Sequence, residues 1–335
     1  MEGFIRVSPK ELNLSLTLVC GQCFRWKRRS KKDNVWFGII FNHVFELTQN
    51  INSLKVNHGD DGDSVDSSIH WKLLNSSNNK TGKAAKRKKL SQDDISNLLS
   101  DYFQLQVPLV DYYDKWSKID SNFNSKGCQL PGIRILRQDP IENLFSFICS
   151  SNNNIPRISM MVDSLCSTYG QQLFDDHEFG TIYNFPSISR LCEDGVESKL
   201  RSLSFGYRAK FIHQAAKTIM SNDAKNPEKW LFNLRNECYE KAHSQLMSLP
   251  GVGAKVADCV CLMSLDKHDA IPVDTHVWKI ALNDYLPHLK KNKTMTDKSY
   301  KEIGNFFRSH FGPYAGWAHS VLFTADLAKF KKLLE

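Results

Sequence analysis

Two residues of this chain have types and a spacing suited to covalent chemistry. Lys255 lies in the run Leu249-Pro250-Gly251-Val252-Gly253-Ala254-Lys255-Val256-Ala257, and Asp274 follows nineteen residues later in Pro272-Val273-Asp274-Thr275-His276. The first run reads as a helix, a hairpin and a second helix. Gly251 and Gly253 allow φ > 0 and a close approach of the backbone to a ligand. A helix predicted over 254–264 starts with free N–H groups and its positive dipole end facing out of the hairpin. Such a hairpin holds a phosphate without reading a base. Lys255 sits in the first turn, where the dipole disfavours a second positive charge and so depresses a lysine pKa. A partly deprotonated lysine is a nucleophile. Asp274, near a proline at an expected helix start, is stabilised as the ion. A neutral amine and a charged carboxylate beside a phosphate clamp point to amine attack on a nucleic-acid sugar. Read singly, Lys255 is a phosphate-contacting lysine and Asp274 an N-cap.

The elements that must position this pair come from periodicity. The apolar runs LNLSLTLV, VWFGIIF and HVFELTQ alternate within 12–50. Gly21, Asp33-Asn34 and Asn42-His43 punctuate them, which predicts antiparallel strands. Gly, Ser, Asn and Asp dominate 55–95, so a disordered insertion is expected there. Its basic run, Lys83 to Lys89, reads either as a solvated linker or as a nuclear import signal. From Ile95 the helical stripe Ile95, Leu98, Leu99, Tyr102, Phe103 takes over. After a loop expected around 122–133, Asp139-Pro140 caps a helix carrying Ile141, Leu144, Phe145 and Ile148. Further helices are predicted at 155–169, 208–221, 227–235, 237–247, 254–264, 274–286, 298–310 and 313–327. The expected fold is α+β. A small antiparallel β-sheet region over 1–125 packs on a mainly helical domain over 126–335.

Composition excludes other classes. The 335 residues carry a net charge of +8, which suits a polyanionic partner. No run of eighteen apolar residues exists, so no membrane span is expected. The first residues, MEGFIRVSPKELNL, lack an apolar secretory core. Nine scattered cysteines fit a reduced intracellular protein. Cys20-x-x-Cys23 invites a redox or zinc reading, but no second pair with ligand spacing accompanies it.

LPGVGAKVADC followed by PVDTH resembles the helix-hairpin-helix DNA glycosylase superfamily, in the branch with a catalytic lysine. CGQCFRW at 20–26, CSSNNNIPRI at 149–158 and GPYAGWAHSVLFTADL at 312–327 resemble the 8-oxoguanine DNA glycosylases within it. The resemblance covers roughly 10–50 and 130–330. It implies a small sheet packed on a helical core whose cleft holds DNA. Lys255 would attack C1′ of the sugar, and Asp274 would stabilise positive charge developing there. The resulting Schiff base permits β-elimination. Gly251, Gly253 and Val256 would present N–H groups to one phosphate, and His276, held by Asp326, would contact another. The resemblance places Tyr207 as a wedge beside the extruded base, where its residue type alone reads as a core tyrosine. Asn152 and Arg157 would read the estranged cytosine, with Arg208 helping; a cap for α-helix 155–169 is the other use of the asparagines. The carbonyl of Gly21 would accept the N7 hydrogen that distinguishes 8-oxoguanine from guanine. Phe323 and Cys259 would sandwich the base. Cys259, four residues after Lys255, reads either as a thiolate paired with the lysine or as a buried neutral thiol.

Two departures stand out. His319 replaces the family glutamine, and an imidazole cannot copy a bidentate amide contact to a base edge. An ordinary histidine would also make activity vary between pH 6 and 8. Pro156 precedes Arg157 with a rigid φ. Lysine-bearing relatives with an iron–sulfur cluster carry four cysteines after the aspartate, whereas the last cysteine here is Cys261. No cofactor is expected, although the hairpin is compatible with a structural cation. The expected partner is double-stranded DNA containing 8-oxoguanine, the expected state a monomer, and the expected compartment the nucleus, with the mitochondrion as the alternative. Rival readings are a same-fold glycosylase for other damaged bases and a non-catalytic DNA-binding module.

Overall fold

A computed structural model describes residues 1–30, 34–49, 67–75, 90–223 and 225–334. Five strands form one antiparallel sheet in the order β1-β5-β4-β3-β2. They are β1 (Glu2–Arg6), β2 (Lys27–Ser30), β3 (Val35–Ile40), β4 (His43–Gln49) and β5 (Ser68–Leu73). β3 and β4 meet through Phe41 and Asn42, both at positive φ, the two-residue turn that matches strand twist. Trp36, Leu47 and Trp71 oppose one another across β3, β4 and β5. All three are buried in the inner core.

Two expectations fail in this region. The run 12–19 is no strand; it holds the short helix α1 (Leu14–Thr17). Its leucines do not share one face. Leu12, Leu14 and Leu18 enter the core beneath the sheet, and Leu16 enters the helical core. The backbone is satisfied from outside: Asn13 N–H donates to the Gly132 carbonyl at 2.9 Å, and Leu14 N–H to Gln49 Oε1 at 2.9 Å. The expected disordered insertion at 55–95 is likewise interrupted. β5 lies inside it and pairs with both β1 and β4. Ile69, Trp71 and Leu73 are buried, while His70 and Lys72 are exposed. Six alternating residues are too few to shift the composition of a forty-residue window, and two flanking strands stabilise them. Lys83 to Lys89 lie outside the described residues.

Helix α2 (Gln92–Tyr102) starts on a capping box in which Ser91 and Asp94 bond each other's backbone. It packs under the sheet through Ile95 and Leu99. Then come α3 (Leu109–Ile119), α4 (Ser121–Gly127) and α5 (Pro140–Ile148). The expected loop at 122–133 is therefore partly helical. Asp120 caps α4 through Phe123 N–H at 2.6 Å, and Phe123 packs edge-on to Trp116. After α6 (Ile155–Tyr169) a hairpin absent from the sequence reading appears, β6 (Gln172–Asp176) with β7 (Gly180–Tyr183). It covers the outer face of the sheet, with Phe179 against Phe37 at 5.0 Å. Arg29 lies over both rings and pairs with Asp176 and Glu46.

The rest is helical: α7 (Ile188–Leu191), α8 (Val196–Ser202), α9 (Arg208–Asn222), α10 (Pro227–Asn233), α11 (Tyr239–Met247), α12 (Ala254–Ser264), α13 (Thr275–Ile280), α14 (Asp297–Phe311), α15 (Ala315–Asp326) and α16 (Ala328–Leu334). Arg134 joins the parts. Its side chain is fully buried and donates to the carbonyls of Glu11, Phe103, Gln104 and Val107 and to the Glu11 carboxylate, while lying over the Trp317 ring. Among the described residues no helix is long and apolar enough to cross a membrane.

Candidate active site

The site is built where α5 and α12 pack together. The hairpin at 249–253 delivers α12. Gly251 has φ +80°, and a Cβ there would stand 2.5 Å from Phe211 Cβ, so glycine is required on both counts. Gly253 corrects an expectation. Its φ is −95°, which any residue adopts, and a Cβ would meet open space. What Gly253 leaves is room. No side chain caps α12, so its first N–H groups, including that of Val256, have no partner within the helix.

Lys255 projects from the first turn of α12. Its amine donates to Ser150 Oγ at 3.4 Å and lies 4.8 Å from the centroid of the Phe147 ring. Asp274 caps α13, with Oδ1 accepting from the N–H groups of His276 and Val277, each at 2.9 Å. The cap and the chemical role coexist on this residue, because Asp274 and Lys255 line the same cavity. Gly21, Cys259, His319 and Phe323 share its wall. Asp326 accepts from His276 Nδ1 at 2.6 Å and pairs with Lys331 at 2.7 Å. Burial alone would raise the Asp326 carboxyl, but Lys331 and His276 together hold it below its ordinary value.

Three wall residues acquire definite character. Burial pushes the Cys259 thiol up to about 11, against the pull of Lys255, so the neutral thiol is the form present near neutral pH. Gly21 has φ +85° in the turn that follows α1. The buried Gln22 side chain locks that turn by donating to the carbonyls of Thr17 and Arg134 and accepting from Leu136 N–H. His319 is buried, and neither ring nitrogen has a hydrogen-bond partner among the described residues. Burial takes its pKa down to about 4, with Asp274 and Asp258 pulling the other way. An imidazole that stays neutral above pH 6 cannot produce the pH 6–8 dependence expected of an ordinary histidine.

A second cluster stands apart from the cavity. Asn152 adopts φ +47°, which asparagine tolerates, and Asn154 caps α6 through Arg157 N–H at 3.0 Å. Tyr207 is 46 % exposed at the start of α9, so it is no core tyrosine, and its hydroxyl donates to the Ser151 carbonyl at 3.1 Å. Arg157 is exposed, reaching the Ser204 carbonyl at 3.4 Å. Arg208 is buried and donates to the carbonyls of Ser151 and Asn152. Its guanidinium therefore holds the loop that presents Asn152. The two clusters touch through two adjacent residues, since Ser150 meets Lys255 and Ser151 meets Tyr207. The sequence reading missed Phe147, Ser150 and Gln22; the adjacency of Ser150 to the CSSNNN motif and of Gln22 to Gly21 was the available signal.

Cys20 and Cys23 are both free, with the Cys20 thiol donating to the Thr17 carbonyl and that of Cys23 to the Leu18 carbonyl. Among the described residues no three His, Cys, Asp or Glu side chains gather to hold a metal.

This arrangement has relatives. The family model for the 8-oxoguanine DNA glycosylase N-terminal domain matches residues 4–144, and that for HhH-GPD superfamily base excision DNA repair proteins matches 145–305. An N-glycosylase/DNA lyase OGG1 from Arabidopsis thaliana is 38 % identical over 331 residues, spanning 99 % of this chain and 82 % of that one. An N-glycosylase/DNA lyase from Saccharomyces cerevisiae is 41 % identical over 259 residues, 71 % of this chain and 68 % of that one. The structure of a Clostridium acetobutylicum 8-oxoguanine glycosylase/lyase, in complex with double-stranded DNA containing cytosine opposite 8-oxoguanine, superimposes with a TM-score of 0.71 at 28 % identity, covering 94 % of this chain and 91 % of that one. With a lysine and an aspartate facing one cavity beside an uncapped helix, and relatives along nearly its whole length, the chain belongs to the 8-oxoguanine DNA glycosylase family of the helix-hairpin-helix superfamily.

Proposed function

We propose that this enzyme, a DNA glycosylase with lyase activity, excises 8-oxoguanine opposite cytosine and that Lys255 and Asp274 carry the reaction. The observation that carries the reading is that both line one cavity next to the unpaired N–H groups of α12. A base in a duplex cannot reach such a cavity and must be flipped out. The Lys255 amine, as the free base, forms a bond to C1′. The bond from C1′ to the base breaks, and the base leaves with the electron pair and takes up a proton. Opening of the sugar ring then gives an iminium, whose C2′ proton is acidic. Loss of that proton expels the 3′ phosphate and cuts the strand. Asp274 stabilises the positive charge on the sugar as the base departs.

The start of α12 and His276 suit two backbone phosphates. Phe323 and Cys259 form an apolar wall for the flipped base, and the Gly21 turn brings a backbone carbonyl to it. Tyr207, Asn152 and Arg157 suit the gap and the opposite cytosine, with Arg208 holding their loop. The chain acts as a monomer in the nucleus, with Lys83 to Lys89 as its import signal; sedimentation and the distribution of a fluorescent fusion lacking that run test these two points. The central test is strand nicking and borohydride trapping across duplexes that vary lesion and opposite base. Preference for 8-oxoguanine opposite cytosine is expected. Equal nicking of undamaged duplexes, or no trapped adduct, overturns the reading.

A further inference from the structure

One buried carboxylate outside the cavity gathers three elements. Asp258 lies three residues after Lys255 on α12 and is 1 % exposed. Its Oδ1 accepts from the Tyr239 hydroxyl of α11 at 2.7 Å, and its Oδ2 from the Tyr300 hydroxyl of α14 at 2.5 Å. His243 Nε2 stands 3.7 Å from Oδ1. The Tyr300 hydroxyl in turn accepts from Val273 N–H at 3.3 Å. Val273 is the neighbour of Asp274, and Asp258 sits one turn along from Lys255. A single hydroxyl thus links the helix that bears the amine to the segment that bears the carboxylate.

The chemistry of the link is one-directional. A carboxylate removed from water requires donors. Burial, and then the Asp258 charge, raises the pKa of both tyrosines well above the usual range, so both hydroxyls keep their protons. The one proton of Tyr300 goes to Asp258 at the shorter distance, leaving its lone pairs for Val273 N–H. None of these side chains lines the cavity, so none reaches a flipped base.

We propose that Asp258 and Tyr300 are positioning residues that set the separation of the Lys255 amine from the Asp274 carboxylate. This rests on the reading of those two as the catalytic pair. Both are required at one sugar, and misplacement by an ångström costs about 100-fold in rate.

The test uses the full chain and an 8-oxoguanine duplex. Tyr300→Phe deletes the linking hydroxyl and keeps the ring. Single-turnover base release and the rate of borohydride trapping should both fall, by about 10- to 100-fold. The Kd for the duplex should stay within about twofold and the protein should remain folded at the assay temperature. In the double variant with Asp258→Asn, the loss should be no greater than the larger single loss, because both substitutions cut one link. Should Asp258→Asn not fold, Tyr300→Phe decides alone. Wild-type kinetics in Tyr300→Phe, or a rate loss that only tracks weaker binding or partial unfolding, overturns the positioning role. A wild-type chain that forms no adduct overturns the assignment of Lys255 and this proposal with it, so the two failures are distinct.

Discussion

The amine of Lys255 rests over the face of Phe147, 4.8 Å from its centroid, and among the described residues no carboxylate lies within ion-pair distance of it. Phe147 is itself buried, and a cation over such a ring is held by about 2 kcal/mol, with no ion pair to add to it. The side chain can therefore leave this resting contact for a sugar without breaking a strong bond. Lys255→Gln should abolish the trapped adduct and base release while leaving duplex affinity largely intact, because the amine is the nucleophile and a minor source of binding. An adduct in this variant would show that another amine attacks.

Asp274 does two jobs that substitution separates. Asparagine keeps an acceptor for the N–H groups of His276 and Val277 and loses the charge. Asp274→Asn should leave stability nearly unchanged and lower base release by about 10²–10³-fold, the cost of removing one electrostatic group aimed at transition-state charge. Asp274→Ala should lose the same activity and, in addition, about 1 kcal/mol of stability through the missing cap. Denaturation curves and single-turnover rates of both variants check this. Equal activity of Asp274→Asn and wild type would leave only the cap.

His319 carries a pH signature in stability rather than in activity near neutrality. Its imidazole titrates near 6.5 when unfolded and near 4 when folded. Between those values the unfolded chain holds more protons, so the contribution is full above pH 6.5 and is lost as pH falls toward 4. From pH 7 to 4.5 the wild type should lose about 2–3 kcal/mol more stability than His319→Gln. The activity ratio of the two should stay constant between pH 6 and 8. A ratio that changes through that range would mean that substrate, not the free pocket, sets the charge of the ring.

Arg157 is the exposed cation beside the Asn152 loop. Its replacement by alanine should reduce the preference for cytosine opposite the lesion by about 1–3 kcal/mol, the worth of a bidentate base contact. Relative rates opposite C, A, G and T measure it. Unchanged ratios would remove Arg157 from opposite-base reading.

Arg134 predicts a purely structural defect. Arg134→Met leaves the carbonyls of Glu11, Phe103, Gln104 and Val107 and the Glu11 carboxylate without their shared donor. The expected loss is about 3–5 kcal/mol. Urea denaturation tests it; a loss below 1 kcal/mol would mean that water replaces the guanidinium.

The catalytic helix and its hairpin were legible because their signals are local. Prolines, glycines and the 3.6-residue period of 254–264 sit within one short window. The wall of the cavity was legible only through resemblance, since Gly21, Cys259 and Phe323 converge from three segments far apart in the chain. What failed, failed for a physical reason. Leu12, Leu14, Leu16 and Leu18 alternate like a strand, yet they serve two different cores. β5 is too short to stand out from its polar surroundings, and the β6–β7 hairpin sits among strong helical signals. The charge state of His319 depends on burial, which no spacing encodes. The bridge from Asp258 to Tyr300 spans forty-two residues and lives only in the folded packing.

The place of β5 between β1 and β4 has a consequence for how the chain is made. β3 and β4 are joined by a two-residue turn and can pair as soon as both exist, within microseconds. β1 is synthesised first, yet its partner ends at Leu73, so it waits while more than sixty further residues emerge. Until then β1 and the outer side of β4 are unpaired edges, the surfaces on which nascent chains stick to one another. Translation thus builds the sheet out of spatial order, and the strand that joins β1 to the rest is the last piece delivered.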